Sequence, residues 1–309
     1  MSEKQSVSDI VSLMIRSINS GKIEDFYSIA ERYKNQFSKE GNNYHNLHHL
    51  LLAKPKKFTP LQELKQDVKK LIIFSELKDE NVFLKPKTKD MIDNLSFEFA
   101  NKDIFSYHNL PVANKVLLHG STGNGKTTIA KHIAKELDLP FVEISSDSVI
   151  EGYVGRTGAN INNIFNQINE PCVLFWDEID TIGRKRTTSD GSSASFENDR
   201  MVNSILVNID KLSKDVVFIG ATNRKDILDS AFVRRFDILH EIDSPEMRDK
   251  TQFIQNLLTF HNLPFDLLID SSVYIKSCDS FSDLKTAILR EARQFLTSSI
   301  MSEKKRITE

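Results

Sequence analysis

Val116-Leu117-Leu118-His119-Gly120-Ser121-Thr122-Gly123-Asn124-Gly125-Lys126-Thr127-Thr128 is the stretch that decides the fold. A short apolar run enters the pattern GxxxxGK[ST], which Gly120 to Thr127 fit in full, and a helical pattern follows. The pattern has a mechanism only between a strand and a helix, and both are expected here. Its glycines let the backbone curl so that N–H groups face inward toward phosphate oxygens. The helix behind it adds its positive end. Lys126 reaches toward β- and γ-phosphates as a cation, and Thr127 presents a hydroxyl to Mg²⁺. The whole stretch from Gly120 to Thr128, with Ser121, Thr122, Gly123, Asn124 and Gly125 between, is the expected phosphate cradle (Walker A).

Further apolar runs recur downstream at Phe141 to Ile144, Val173 to Trp176 and Val216 to Ile219, separated by helical stretches. Strands alternating with helices predict a doubly wound α/β fold with a parallel sheet and right-handed crossovers. The Val173 run leads directly into Asp177-Glu178. Two carboxylates at the end of a buried strand are costly unless something compensates them. Mg²⁺ supplies that compensation: Asp177 would hold the ion through its water shell, and Glu178 would orient or deprotonate an attacking water. Asp180 reads as structural, a cap for the next turn.

Away from this core the patterns are helical. Val7, Ile10, Val11, Met14, Ile15 and Ile18 recur at helical spacing, a second run follows Gly21, and Tyr44 to Leu52 forms a third. Residues 1–53 are expected to be a small helical module, and 54–86 a linker and a helix marked by Leu61, Leu64, Val68, Leu71 and Ile72. Lys87 to Asn101 reads as a further helix. The nucleotide-binding core is expected over 87–244, and an all-helical lid over 245–309. Thr187 to Ser195, poor in apolar residues and rich in Ser, Thr and Gly, reads as a mobile loop.

The 309 residues are 39% hydrophobic and 27% charged, with a net charge of -2, which argues against a nucleic-acid motor. Cys172 and Cys278 fit no metal pattern and read as reduced core thiols. The N-terminal residues do not read as a signal peptide, and no apolar stretch reads as a membrane span, so a cytoplasmic location is expected. His45, His48 and His49 lack partners at ligand spacing and read as a surface cluster. Trp176 reads as core.

The order of Gly120–Thr127, Leu174–Asp180, Gly220–Arg224 and Leu228–Asp237 resembles the AAA family of ATPases. Asp215 to Asp237 is similar to that family's second region of homology. The resemblance implies ATP and Mg²⁺ as cofactors, with ATP hydrolysis as the activity. It implies that Asn223 senses the γ-phosphate and helps Glu178 position water. It also implies that Arg234 or Arg235 reaches the nucleotide of a neighbouring subunit, in a ring homo-oligomer that would be a hexamer. Such an arginine neutralises charge developing on the transferred phosphoryl group.

Gly152-Tyr153-Val154-Gly155 resembles the family's pore loop, and Tyr153 with Val154 would grip extended polypeptide. Arg156-Thr157 stand where acids usually follow. Lys185-Arg186 read equally as a second pore loop or a solvated one. Arg200, opening the next helix, reads as a subunit coupler or an ordinary exposed charge. The chain departs from the family in having Ser121-Thr122 instead of Pro-Pro, no glycine-rich entry motif, no Gly-Ala at Ser280–Leu284 and no second sensor arginine, so its adenine contacts stay open. The expected function is remodelling or threading of a protein partner. The alternative is a non-threading ATP-dependent switch that activates a partner. The N-terminal module together with the form RRFD, at Arg234 to Asp237, resembles bacterial AAA ATPases encoded beside subtilisin-like serine proteases, which makes such a protease a candidate partner. The chain itself carries neither HExxH nor GxSxG.

Overall fold

The computed structural model describes residues 64–77, 82–150, 157–168, 170–181, 193–264 and 272–308. The 1–53 module with its histidines, the Tyr153-Val154 loop and Lys185-Arg186 lie outside the described residues.

In chain order the elements are α1 (Gln66–Lys69), β1 (Ile72–Ser75), α2 (Pro86–Ala100), α3 (Lys102–Tyr107), β2 (Lys115–His119), α4 (Lys126–Glu136), β3 (Phe141–Ile144), α5 (Ser146–Ile150), α6 (Thr157–Gln167), β4 (Cys172–Trp176), α7 (Ser193–Asp210), β5 (Val216–Thr222), α8 (Ser230–Val233), β6 (Ile238–Glu241), α9 (Met247–Phe260), α10 (Ser272–Ser277) and α11 (Phe281–Thr308). Residues Asp103–His108 group with a separate compact unit. In that unit α3 is a short helix with no buried side chain.

One sheet of six strands runs β1-β3-β4-β5-β2-β6. All neighbours are parallel except β1, which pairs antiparallel with β3 from Ile72↔Ile144 to Ser75↔Phe141. Every residue of β4 and β5 is buried. Such continuous apolar runs suit strands covered on both faces. Alternate side chains then sort to opposite layers. Leu174, Trp176 and Phe218 pack with Ile161 and Ile164 of α6 and Ile205 and Ile209 of α7. Val173, Phe175 and Val217 pack with Ile129 and Ile133 of α4 and Ile92 and Leu95 of α2. This is the doubly wound α/β fold expected from the alternating runs. Its functional crevice belongs at the carboxyl ends of the strands, where the order jumps across β2.

Several local expectations need correction. The helix read through Leu71 and Ile72 stops at Lys69, because Ile72 opens β1. There Ser145 N–H donates to Leu71 O at 2.9 Å, and cross-strand pairing with β3 overrides local spacing. The sheet is therefore mixed, not wholly parallel. β6 is a second edge strand with one buried residue, His240, too polar to register as a strand run. Helix α7 begins at Ser193, so Ser193 to Ser195 are helical and Arg200 lies inside the helix, not at its start. Cys172 is buried, but Cys278 is only half-buried.

After β6 the described elements are helical. α9 opens with a capping box between Glu246 and Asp249. Ile254, Leu257 and Leu258 of α9 pack with Ile275 of α10 and Leu284 and Ile288 of α11, forming a small core of their own. Among the described residues, no helix is long and apolar enough to cross a membrane.

Candidate functional site

The loop from Gly120 to Gly125 leaves β2 and enters α4, with Gly125 as its N-cap at φ 89°. That left-handed backbone is accessible to glycine at little cost. Lys126 begins the helix and is only 7% exposed. Its Nζ donates to the carbonyls of Gly120 at 2.8 Å and Ser121 at 2.9 Å. Burial pushes the ammonium's pKa down, while Asp177 and Asp180 pull it back up. The site thus holds a partly desolvated cation over the loop, an arrangement that favours an anion in the cavity.

Beside it, Thr127 Oγ1 donates to Asp177 Oδ2 at 2.9 Å. The other carboxylate oxygen of Asp177 accepts the Glu178 N–H at 2.9 Å. Glu178 itself has φ 51°, a left-handed conformation uncommon outside glycine. This turn carries its side chain out of the sheet and into solvent. A strained backbone at a carboxylate beside a cavity fits a functional constraint.

A cavity of about 370 Å³ is bounded by Thr122 to Ile129, Asp177, Glu178 and Asn223. The sequence-predicted Asn223 is exposed at the end of β5, facing the same space as the acids. Asn124 is only 3% exposed, and its Oδ1 has no hydrogen-bond partner among the described residues. Arg234 and Arg235 are not among the residues lining this cavity. Arg235 Nε lies 3.0 Å from Asp210 Oδ2, without the alignment of a hydrogen bond. Arg234 is exposed, with a long 3.5 Å contact to Ser230.

Three features escape sequence reading. Phe83, Phe253 and Phe281 gather on the cavity wall, with ring centroids 4.9 to 6.2 Å apart. They come from the segment before α2, from α9 and from α11, so only the fold unites them. Lys285 on α11 supplies a cation to the same cavity, whose lining among the described residues includes no arginine. The partner of Asp180 is distant in sequence: its Oδ1 accepts the Thr222 hydroxyl at 2.7 Å, and both groups are buried.

A second cavity of about 380 Å³ borders β1 and shares Val82 and Thr128 with the first. It has no part of the acid turn or of Asn223, which line the first cavity.

Comparison with known proteins agrees with this arrangement. The family model for the ATPase family associated with various cellular activities (AAA) matches residues 116–244. An uncharacterized AAA family ATPase, y4kL of Sinorhizobium fredii, is 31% identical over 303 residues, covering 94% of this chain and 88% of that one. The ATP-dependent zinc metalloprotease FtsH of Pelodictyon phaeoclathratiforme is 39% identical over 180 residues, covering 56% of this chain but 27% of its own. The peroxisomal ATPase pex6 of Schizosaccharomyces pombe is 36% identical over 194 residues, covering 60% of this chain and 20% of its own. Among solved structures, the FIGL-1 AAA domain superposes with a TM-score of 0.51 at 26% identity, covering 66% of this chain and 69% of that one. The chain therefore spans only about a quarter or less of FtsH and pex6, but nearly all of y4kL. Likeness along almost the full length of an AAA ATPase, on a fold that gathers the loop and the acids around one cavity, means that this chain belongs to the AAA family of ATPases and is an ATP hydrolase.

Proposed function

We propose that this ATPase is Mg²⁺-dependent, that a neighbouring subunit completes its site, and that its turnover drives remodelling of a protein partner. The contact between Thr127 Oγ1 and Asp177 Oδ2 carries the metal assignment. A hydroxyl and a carboxylate 2.9 Å apart beside a buried ammonium form a hard-oxygen set that suits Mg²⁺. When bound, the ion would neutralise charge on the β- and γ-phosphate oxygens. Lys126 would exchange its two loop carbonyls for phosphate oxygens. Glu178 would hold and deprotonate the attacking water, and Asn223 would orient it against the γ-phosphate. Phe83, Phe253 and Phe281 provide the apolar wall for the base, and Lys285 answers phosphate charge from the helical side.

Of the two arginines, Arg234 is assigned as the one that reaches the next subunit's nucleotide. Its guanidinium is exposed, whereas Arg235 is held beside Asp210 of its own chain. The closed assembly is a ring homo-oligomer, a hexamer by analogy with the family, and a cytoplasmic location is consistent with this role. Tyr153 and Val154 would grip an extended polypeptide in its pore. A subtilisin-like protease is the proposed recipient or target. FtsH is itself named a protease, but this chain matches only 27% of it.

Glu178→Gln tests the reading. The variant is expected to bind ATP, to stop turning over, and to retain a protein partner through purification. Tyr153→Ala should keep ATPase activity and lose remodelling. A Tyr153→Ala protein that still activates its partner would favour the non-threading switch. Absence of any partner with the trapped variant, where the wild type hydrolyses ATP, contradicts remodelling.

A further inference from the structure

Thr222 is the last residue of β5, and none of its surface is exposed. Its groups are bonded in three directions. The hydroxyl donates to Asp180 Oδ1 at 2.7 Å. The same oxygen accepts the Arg224 N–H at 2.9 Å. The backbone carbonyl accepts the Gly120 N–H at 3.3 Å. A threonine hydroxyl has one proton to give, and here it goes to a carboxylate, the stronger kind of acceptor. Asn223 stands between Thr222 and Arg224, with each neighbour fixed by that single hydroxyl. Asp180 follows Glu178 by one intervening residue, on the turn where the Thr181 N–H returns to Glu178 O at 2.9 Å. A second tie lies just beyond: Lys225 Nζ meets His119 Nε2 at 3.0 Å, joining the segment after Asn223 to the residue before Gly120.

We propose that Thr222 and Asp180 are positioning residues for hydrolysis, forming a buried strut that keeps Asn223 in register with Glu178 and with the phosphate loop. Neither side chain lines the cavity, and Thr222, which is uncharged, separates the strut from the charge that Asp180 exerts on Lys126. Their effect is on geometry in the transition state, where a displacement of about 1 Å is enough to cost a hundredfold in rate. A purely structural cap would affect stability and leave the ratio of kcat to affinity alone. The inference rests on the reading of Asn223 and Glu178 as the groups that act on water and γ-phosphate.

The test uses the full chain with Thr222→Val, which keeps the shape and removes the hydroxyl. ATP affinity should stay within about twofold of the unmodified chain and oligomer size should not change, while kcat falls about tenfold to a hundredfold. Thr222→Ser restores the hydroxyl and should recover most of the lost turnover. Asp180→Asn keeps an oxygen acceptor but lacks the charge that also acts on Lys126, and should lower kcat by more than it changes affinity. Full turnover in Thr222→Val overturns the proposal. If Thr222→Val fails to fold, full turnover in Asp180→Asn overturns it instead. Asn223→Ala and Glu178→Gln are measured alongside. If both of these hydrolyse ATP normally, the underlying reading fails. If they are inactive and Thr222→Val is not, only the strut fails.

Discussion

Gly123→Ala probes the seam between the phosphate loop and α11. Gly123 has φ +79°, and a Cβ there would lie 2.7 Å from Ser280 Oγ, 3.0 Å from Ser280 Cβ and 3.2 Å from Ser282 Cβ. The left-handed backbone costs an L-residue about 1–2 kcal/mol. Ser280 cannot simply rotate away, because its Oγ accepts the Asp283 N–H at 3.1 Å and donates to Asp283 Oδ2 at 2.7 Å, capping α11. Breaking that cap costs about 1 kcal/mol more. Gly123 O also accepts the Ser282 N–H at 3.0 Å, a bond that lengthens as the helix start is pushed away. The sum is about 2–3 kcal/mol, which lowers the melting temperature by about 5–10 °C. Phe281, Ser282 and Lys285 line the cavity from this helix, so nucleotide affinity should fall as well. Gly158→Ala is the internal control. Among the described residues its Cβ meets nothing within 4 Å, and it lies in the first turn of helix α6 with no positive φ, so alanine should fit without strain. Calorimetry with and without ATP reads both. If Gly123→Ala melts and binds like the unmodified chain, the seam does not hold the site as described.

Other outcomes follow from the same structure. Lys126→Ala should weaken ATP binding about tenfold or more, because it removes the charged donor, and equilibrium dialysis with labelled ATP checks this. Burial first, and then Lys225 for His119 and Lys87 for His240, hold both imidazoles below the ordinary 6.5. The unfolded chain then takes up protons ahead of the folded one, so stability falls as pH drops below 6.5 and levels off once the folded rings are protonated. Urea midpoints should be lower at about pH 5.5 than at about pH 7.5, and the gap should shrink in His119→Gln; equal midpoints contradict this. Burial also pushes the Cys172 thiol up to about 12. A thiol reagent at neutral pH should label Cys278 first and Cys172 only on unfolding; early labelling of Cys172, read by mass spectrometry, contradicts its burial.

The parts of this molecule that the sequence makes legible are those whose physics is local. Gly120 to Thr127 carry their own turn geometry, and the four apolar runs that became β2 to β5 are continuous because helices cover both faces. Asp177 and Glu178 stand out because charge rarely follows such a run. Edge strands are different. β1 needs β3 to become a strand, and β6 has only His240 buried, so neither has a periodicity of its own. The aromatic wall of Phe83, Phe253 and Phe281 is assembled across 198 positions of chain, from 83 to 281, and no local pattern announces it. Asp180 shows the same limit: its partner, Thr222, lies 42 residues away.

The account turns on a nucleotide site built from two chains, and mixing two inactive proteins tests that most directly. Lys126→Ala lacks the phosphate cation but keeps its arginines. The double variant Arg234→Ala/Arg235→Ala keeps the loop and acids but lacks the guanidinium groups. Each alone should fail to hydrolyse ATP, and the co-assembled mixture should recover turnover wherever an intact loop meets an intact arginine. A mixture that co-assembles and stays inactive, or a double variant that is active by itself, contradicts the account.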